Sequence, residues 1–304
     1  MLIPETPCRV LAEFEIEQFW RDGVIIVRDF YPEKWVATVR DGLNEICGTQ
    51  DSAADVPDNP WFRADAYTWH TNDKLRDFSL FGPTAHAVKQ VLRSERINLF
   101  GDQIFVKQAH NSEHTPWHHD LTFFPLTGNQ IASVWTSVDP VKTTESALEF
   151  VAGSHRWPQR FRPLGVGGII KSTASLSPTP DFDMERQHYQ ILSWDMQPGD
   201  AVIFHALTLH GSRGRPAGTL HRRAIATRWC GDDVRFTPSE HQLQIPWPHG
   251  LKMGDPIGGP VFPQVLPEVL PEEISARMQG PVAQDMSIVR KNADLAARFE
   301  RVHL

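Results

Sequence analysis

The sequence predicts a mainly β protein whose short strands close into a sandwich, jelly roll or barrel, with helices outside its N-terminal part and a proline-rich C-terminal extension. Three observations predict it. From about residue 103, short segments rich in β-branched and aromatic side chains alternate with Gly, Pro and Asn turns. No long helical period separates them, which argues against a doubly wound parallel sheet. The 304 residues are 40% hydrophobic and 22% charged, an ordinary globular composition with enough chain for a large core. We read 1–304 as a single domain with its core strands over about 100–230 and no internal repeat.

Taken in order, Phe14, Phe19 and Trp20 follow a helical period that stops at Asp22-Gly23, and Val24 to Val27 reads as a short buried strand. A second helix begins at Tyr31-Pro-Glu-Lys. Its apolar Trp35, Val36, Val39, Leu43 and Ile46 recur at helical spacing, and Gly48 is its stop. Residues 49–62 read as a polar loop. Strands are expected near 103–108, 117–124, 131–138, 147–151, 189–194, 200–205, 207–212 and 222–229. Residues 159–188, with Gly165, Gly167, Gly168 and a Ser/Thr/Pro run, read as an insertion that acts as a lid or stays disordered. The segment 237–304 holds Pro246, Pro248, Pro256, Pro260, Pro263, Pro267 and Pro271. It is expected to wrap the core as extended chain before a last helix around 284–301.

Charge narrows the function. A net charge of −7 provides no basic field for nucleic acid or an anionic membrane surface. The apolar runs are too short to span a bilayer, and Met1-Leu-Ile-Pro-Glu opens no signal peptide, so a cytoplasmic protein is expected. Cys8, Cys47 and Cys230 are scattered, which fits neither a disulfide framework nor a cysteine zinc site.

Trp117-His118-His119-Asp120-Leu121 reads as strand, where His118 and Asp120 share a face and His119 points away. An imidazole and a carboxylate so placed can take two corners of a metal's coordination shell. Alone the pair says little, since roughly one such spacing is expected by chance. His210 follows ninety-two residues later in a short strand closing on Gly211-Ser212, a separation a jelly roll can close. Together they would form a 2-His-1-carboxylate triad with three open positions, suited to Fe(II) and O2. Arg222 opens a half-buried strand, where a guanidinium is costly unless an anion meets it. Arg228 falls on the same face by alternation, so either arginine can fill that role.

At these residues the chain resembles the phytanoyl-CoA dioxygenase family of Fe(II)- and 2-oxoglutarate-dependent oxygenases. The resemblance runs through Asp22 to Phe30, Thr115 to Pro125, Val134 to Asp139, Ser146 to His155, Gly199 to His205, His210 to Ser212, Arg222 to Ala224 and Gly250 to Asp255. It implies a double-stranded β-helix, the cupin-like jelly roll. It makes His118, Asp120 and His210 the iron ligands and Arg222 the clamp for the distal carboxylate of 2-oxoglutarate. Ser212 and Trp135 would support the clamp, and Lys107 would reach the cosubstrate or substrate. The reaction implied is oxidation of a small organic molecule by O2 with release of succinate and CO2, hydroxylation being the default. Asp120 stands where a halide would have to bind, so halogenation is disfavoured. The sequence departs from the family at Thr143 to Ser146, where relatives commonly carry Asn-Gly, and at Ala152, where they carry proline.

Two other readings stay open from sequence. One is a jelly-roll metalloenzyme without 2-oxoglutarate, which has no need of Arg222; the other is a non-catalytic ligand-binding relative. Around the site, Trp61, Phe62, Trp69 and Trp157 are expected to contribute to an aromatic substrate pocket. One of Phe123 and Phe124 should face it and the other the core. His119, His155, His205 and His221 read as packing or capping residues.

Overall fold

The computed structural model describes residues 4–7, 9–48, 62–109, 111, 114–162, 176–212, 221–238, 242 and 245–267. The first helix, α1 (Glu13–Asp22), ends where predicted. Gly23 adopts φ 82° and donates its N–H to Phe19 O, a left-handed turn that most residues resist. It leads directly into β1 (Val24–Val27). Next comes α2 (Glu33–Cys47), stopping at Gly48 with Val36, Val39 and Leu43 buried. Two further helices, α3 (Asp73–Phe81) and α4 (Thr84–Leu92), complete the helical layer; Asn72 Oδ1 caps α3 by accepting from the Leu75 N–H.

The remaining strands are β2 (Phe62–Arg63), β3 (Ile97–Lys107), β4 (Thr115–His118), β5 (Leu126–Thr127), β6 (Ile131–Ser137), β7 (Leu148–Val151), β8 (Ile191–Leu192), β9 (Ala201–His205), β10 (His210–Ser212), β11 (Arg222–Cys230), β12 (Arg235–Phe236) and β13 (Gln264–Leu266). The larger sheet runs β1-β9-β6-β11-β3-β13, with β2 also on β3, and the smaller runs β4-β10-β7-β8. Every pairing is antiparallel. This is the jelly roll the strand pattern predicts.

Alternation sorts the larger sheet into two faces. Val134, Ile203, Ile225 and Trp229 pack outward with helix residues Phe19, Val39, Leu43, Leu75, Val88 and Val91. Each such fully buried aliphatic or aromatic side chain contributes about 1.5–3 kcal/mol through lost water contact. Trp135, Val202, Phe204, Ala224 and Ala226 face inward, toward Phe150 of the smaller sheet. The space between the sheets is where the functional side chains converge.

Two expectations change, and a third is described only in part. The strand expected over 117–124 ends at His118 and gives way to a 3-10 turn over Asp120–Phe123. A turn at 206–207, closed by the Thr208 N–H on His205 O, replaces the start of the strand expected over 207–212, so β10 is only three residues long. The insertion at 159–188 is not loose where it is described: Phe182 is fully buried with Trp117 and Phe161, and Arg186 binds Glu149 through both carboxylate oxygens, at 2.8 and 3.0 Å. Residues 163–175, the loop over 49–61 and the helix expected at 284–301 lie outside the described residues.

Candidate active site

His118 and His210 are direct cross-strand partners on β4 and β10, and Phe150 of β7 is His210's partner on the other side. Antiparallel partners present their side chains on the same face, so the two imidazoles meet with ring centroids 4.3 Å apart. Trp117, one residue before His118, turns the other way into the outer cluster with Phe161, Phe182 and Leu209. Asp120 reaches the pair from the turn rather than along the strand. That turn is pinned by the Leu121 N–H donating to Ala206 O at 2.9 Å.

The hydrogen bonds set the tautomers. His118 Nδ1 lies 2.8 Å from Pro116 O and His210 Nδ1 lies 2.9 Å from Thr208 O. A carbonyl only accepts, so each Nδ1 carries a proton, and Nε2 is the ring atom turned toward Asp120. Both Nε2 atoms face Asp120 Oδ1, at 3.7 and 3.8 Å. The three donor atoms lie within 4.8 Å of one another, the spacing one metal ion requires. Burial pushes His210 down to about 3, so its ring stays neutral and able to donate. Burial alone would raise Asp120; the Arg228 guanidinium opposes it, and the carboxyl is held well below the usual range. Asp120 Oδ2 accepts a hydrogen bond from Ser133 Oγ at 2.6 Å and lies 3.8 Å from Arg228 Nε.

At the other end of β11, Arg222 is the register partner of Lys107 on β3, and both are buried. Arg222 donates to Ser146 O at 2.7 Å and to Ser212 Oγ at 3.5 Å, and its guanidinium lies 5.9 Å from the Trp135 ring. Lys107 Nζ lies 5.0 Å from the Phe62 ring. Arg222, Ser212, Trp135 and Lys107 are thus brought together. Ala224 and Ala226, between the two arginines on the inward face, contribute only methyl groups. The loop that departs from the family pattern is not remote from this group, because its Ser146 carbonyl is the acceptor for Arg222.

The other expectations sort as follows. Of the aromatic side chains expected to line a pocket, Trp69 is core beneath the helices, Trp157 packs in the outer cluster, Phe62 lies against Lys107, and Trp61 lies outside the described residues. Phe123 sits beside His118 at 5.7 Å, whereas Phe124 is buried against Phe100. His119 turns outward and its Nε2 accepts the Phe161 N–H at 3.1 Å; burial pushes it down to about 4. His205 Nε2 meets Asn129 O at 2.7 Å, His155 Nε2 meets Trp20 O at 3.1 Å, and His221 Nδ1 accepts the Ala109 N–H at 3.2 Å, all packing roles. Sequence reading missed Ser133 and Gln103. Ser133 carried a usable signal: it shares the inward face of β6 with Trp135, where a small polar residue needs a partner.

A cavity of about 590 Å³ is lined by Thr115, Trp117, Glu149, Asp181, Asp183 and Ser212. Trp117 and Glu149 alternate with the inward His118 and Phe150, so the cavity lies chiefly on the outer side of the smaller sheet.

Known proteins bear on this geometry. The solved structure of the nogalamycin-biosynthesis epimerase SnoN, in complex with Fe3+, alpha ketoglutarate and nogalamycin RO, covers 83% of this chain and 98% of its own, with TM-score 0.65 and 18% identity, a likeness of fold. A probable phytanoyl-CoA dioxygenase of Caenorhabditis elegans is 23% identical over 251 residues, 74% of this chain and 77% of the worm protein. The peroxisomal phytanoyl-CoA dioxygenase of Rattus norvegicus is 30% identical over 124 residues, which span 40% of this chain and only 35% of the rat enzyme. The phytanoyl-CoA dioxygenase (PhyH) family model matches residues 19–223, a span that contains His118, Asp120, His210, Ser212 and Arg222. With the match running from α1 into the start of β11, this chain belongs to the phytanoyl-CoA dioxygenase family.

Proposed function

We propose that the chain is an Fe(II)- and 2-oxoglutarate-dependent dioxygenase that oxidises, by hydroxylation as the default, a C–H bond of a small organic molecule, releasing succinate and CO2. The observation that carries it is the convergence of two Nε2 atoms on one carboxylate oxygen, at 3.7 and 3.8 Å, with a buried guanidinium further along the same interior. His118, Asp120 and His210 would hold the iron; their donor set, one carboxylate and two imidazoles, suits Fe(II). When bound, the iron couples oxidative decarboxylation of the oxo acid by O2 to oxidation of the substrate.

The protein's own part is binding and orientation. Arg222 receives the distal carboxylate of 2-oxoglutarate, for which a planar guanidinium gives paired hydrogen bonds that lysine cannot. Ser212 Oγ, already at Arg222, offers a further donor, and Trp135 walls that end. Lys107 adds positive charge at the start of the clamp. The nogalamycin compound named with the SnoN structure supports a small natural product rather than a macromolecule as substrate.

We read 1–304 as one catalytic domain working in the cytoplasm, without nucleic-acid or membrane partners. The net charge of −7 supports this, and no described helix is long and apolar enough to cross a membrane.

The test is succinate formation from 2-oxoglutarate by the full chain with Fe(II) under air, in wild type, Asp120→Ala and His210→Ala. Succinate from wild type alone is expected. Retention of it in either folded variant, or its absence from iron-loaded wild type, contradicts the proposal.

A further inference from the structure

We propose that Arg228, together with Ser133, is a positioning residue that keeps Asp120 a one-oxygen metal ligand. The inference rests on the triad binding iron, as proposed above. Arg228 and Ser133 are cross-strand partners on β11 and β6, so one register pair aims both side chains at the same carboxylate oxygen. Oδ1 faces the two imidazoles, while Oδ2 accepts from Ser133 and faces Arg228 Nε at 3.8 Å.

The guanidinium is held in that attitude. Its Nη2 donates to Gln103 Oε1 at 2.9 Å and its Nη1 to Ala226 O at 3.2 Å, and the rings of Phe124 and Phe105 lie 5.7 and 5.9 Å away. Nε is buried, makes no hydrogen bond, and points at the Asp120 carboxylate. A buried cation is stable only beside an anion, and Asp120 supplies it. Arg228 also lies beyond the 19–223 span of the family match, so this partnership is read from this chain's own geometry.

The consequence concerns coordination. A carboxylate can offer a metal one oxygen or both, and using both closes one of the three positions that a chelating oxo acid and O2 need. An oxygen already bound to a hydroxyl and facing a guanidinium is a poor second donor. Arg228 therefore trades some metal affinity for an open position, since its charge also repels the bound dication.

The test uses the full chain without oxo acid or O2, loaded with Fe(II) for affinity and with Mn(II) for water-proton relaxation. The double variant Arg228→Gln/Ser133→Ala should bind Fe(II) about tenfold tighter than wild type. Its Mn(II) relaxation enhancement should fall by about a third, because one of three exchangeable positions closes. Arg228→Lys, which keeps the charge, should bind Fe(II) within about twofold of wild type. A merely structural role would loosen the metal instead. Weaker or unchanged Fe(II) affinity with unchanged relaxation in the folded double variant overturns the inference. If the double variant does not fold, Ser133→Ala alone should lower the relaxation enhancement, and an unchanged value overturns it. Wild type that binds neither ion, or binds them equally well as His210→Ala, overturns the functional reading itself.

Discussion

The two ends of β11 place the same residue type in the same interior with different partners. Arg228 faces a carboxylate of its own chain, Asp120, at 3.8 Å. Arg222 is hydrogen-bonded to a carbonyl and a hydroxyl, Ser146 and Ser212, beside the Trp135 ring and opposite Lys107. Strand alternation puts both on one face, so sequence alone could not choose between them as the oxo-acid clamp. Their partners favour the proposed assignment: Arg228 already faces the Asp120 carboxylate, whereas Arg222 has no carboxylate among these partners and lies opposite the Lys107 cation.

The largest effect should come from the metal end. Asp120→Ala or His210→Ala removes a ligand and should abolish both Fe(II) binding and succinate formation, with far-UV circular dichroism unchanged. Next, Arg222→Ala should raise the 2-oxoglutarate requirement about 10–100-fold, the loss of a charged hydrogen-bonded pair. Its Fe(II) affinity measured without oxo acid should stay put. An unchanged oxo-acid requirement in Arg222→Ala would move the clamp to Arg228 and erase the contrast between the two ends. Ser212→Ala should give a smaller increase of the same kind, about tenfold, for one hydrogen bond to a charged group of about 1.5 kcal/mol.

The gentlest probe lies away from both ends. Burial pushes His205 down to about 4, so the unfolded chain gains a proton below its ordinary value near 6.5 while the folded chain does not. The stability this neutral ring contributes is complete above that ordinary value and drains away as pH falls toward about 4. Between pH 7.5 and 5 it alone should cost about 2 kcal/mol, measurable by urea unfolding of the metal-free protein. His205→Asn should flatten that slope; an equal slope in the variant would assign the acid sensitivity to other groups.

Much of this was legible in the sequence where one local rule dominates. Gly23 and Gly48 end helices because the chain turns there, and the inward–outward alternation of β6, β9 and β11 follows from their side chains. The His118–His210 meeting was foreseeable only as a topological closure, and the register pairing makes it concrete. Asp120 was placed on the right neighbours for the wrong local reason, since a 3-10 turn rather than strand alternation delivers it. Tertiary contact, here the Leu121 N–H on Ala206 O, overrode the β-like composition of 117–124. Trp69 and Trp157 show the converse. Aromatic side chains near a site in sequence are core by default, and helices and insertion claimed them first.

Anaerobic absorption spectroscopy addresses the central claim, one ferrous ion shared by His118, Asp120 and His210 with Arg222 placed for the oxo acid. Adding 2-oxoglutarate to the Fe(II)-loaded protein should produce a weak visible charge-transfer band. The band should be absent in His210→Ala, and in Arg222→Ala should need about 10–100-fold more oxo acid to saturate. A band that persists undiminished in His210→Ala, or never forms in iron-loaded wild type, would contradict the account.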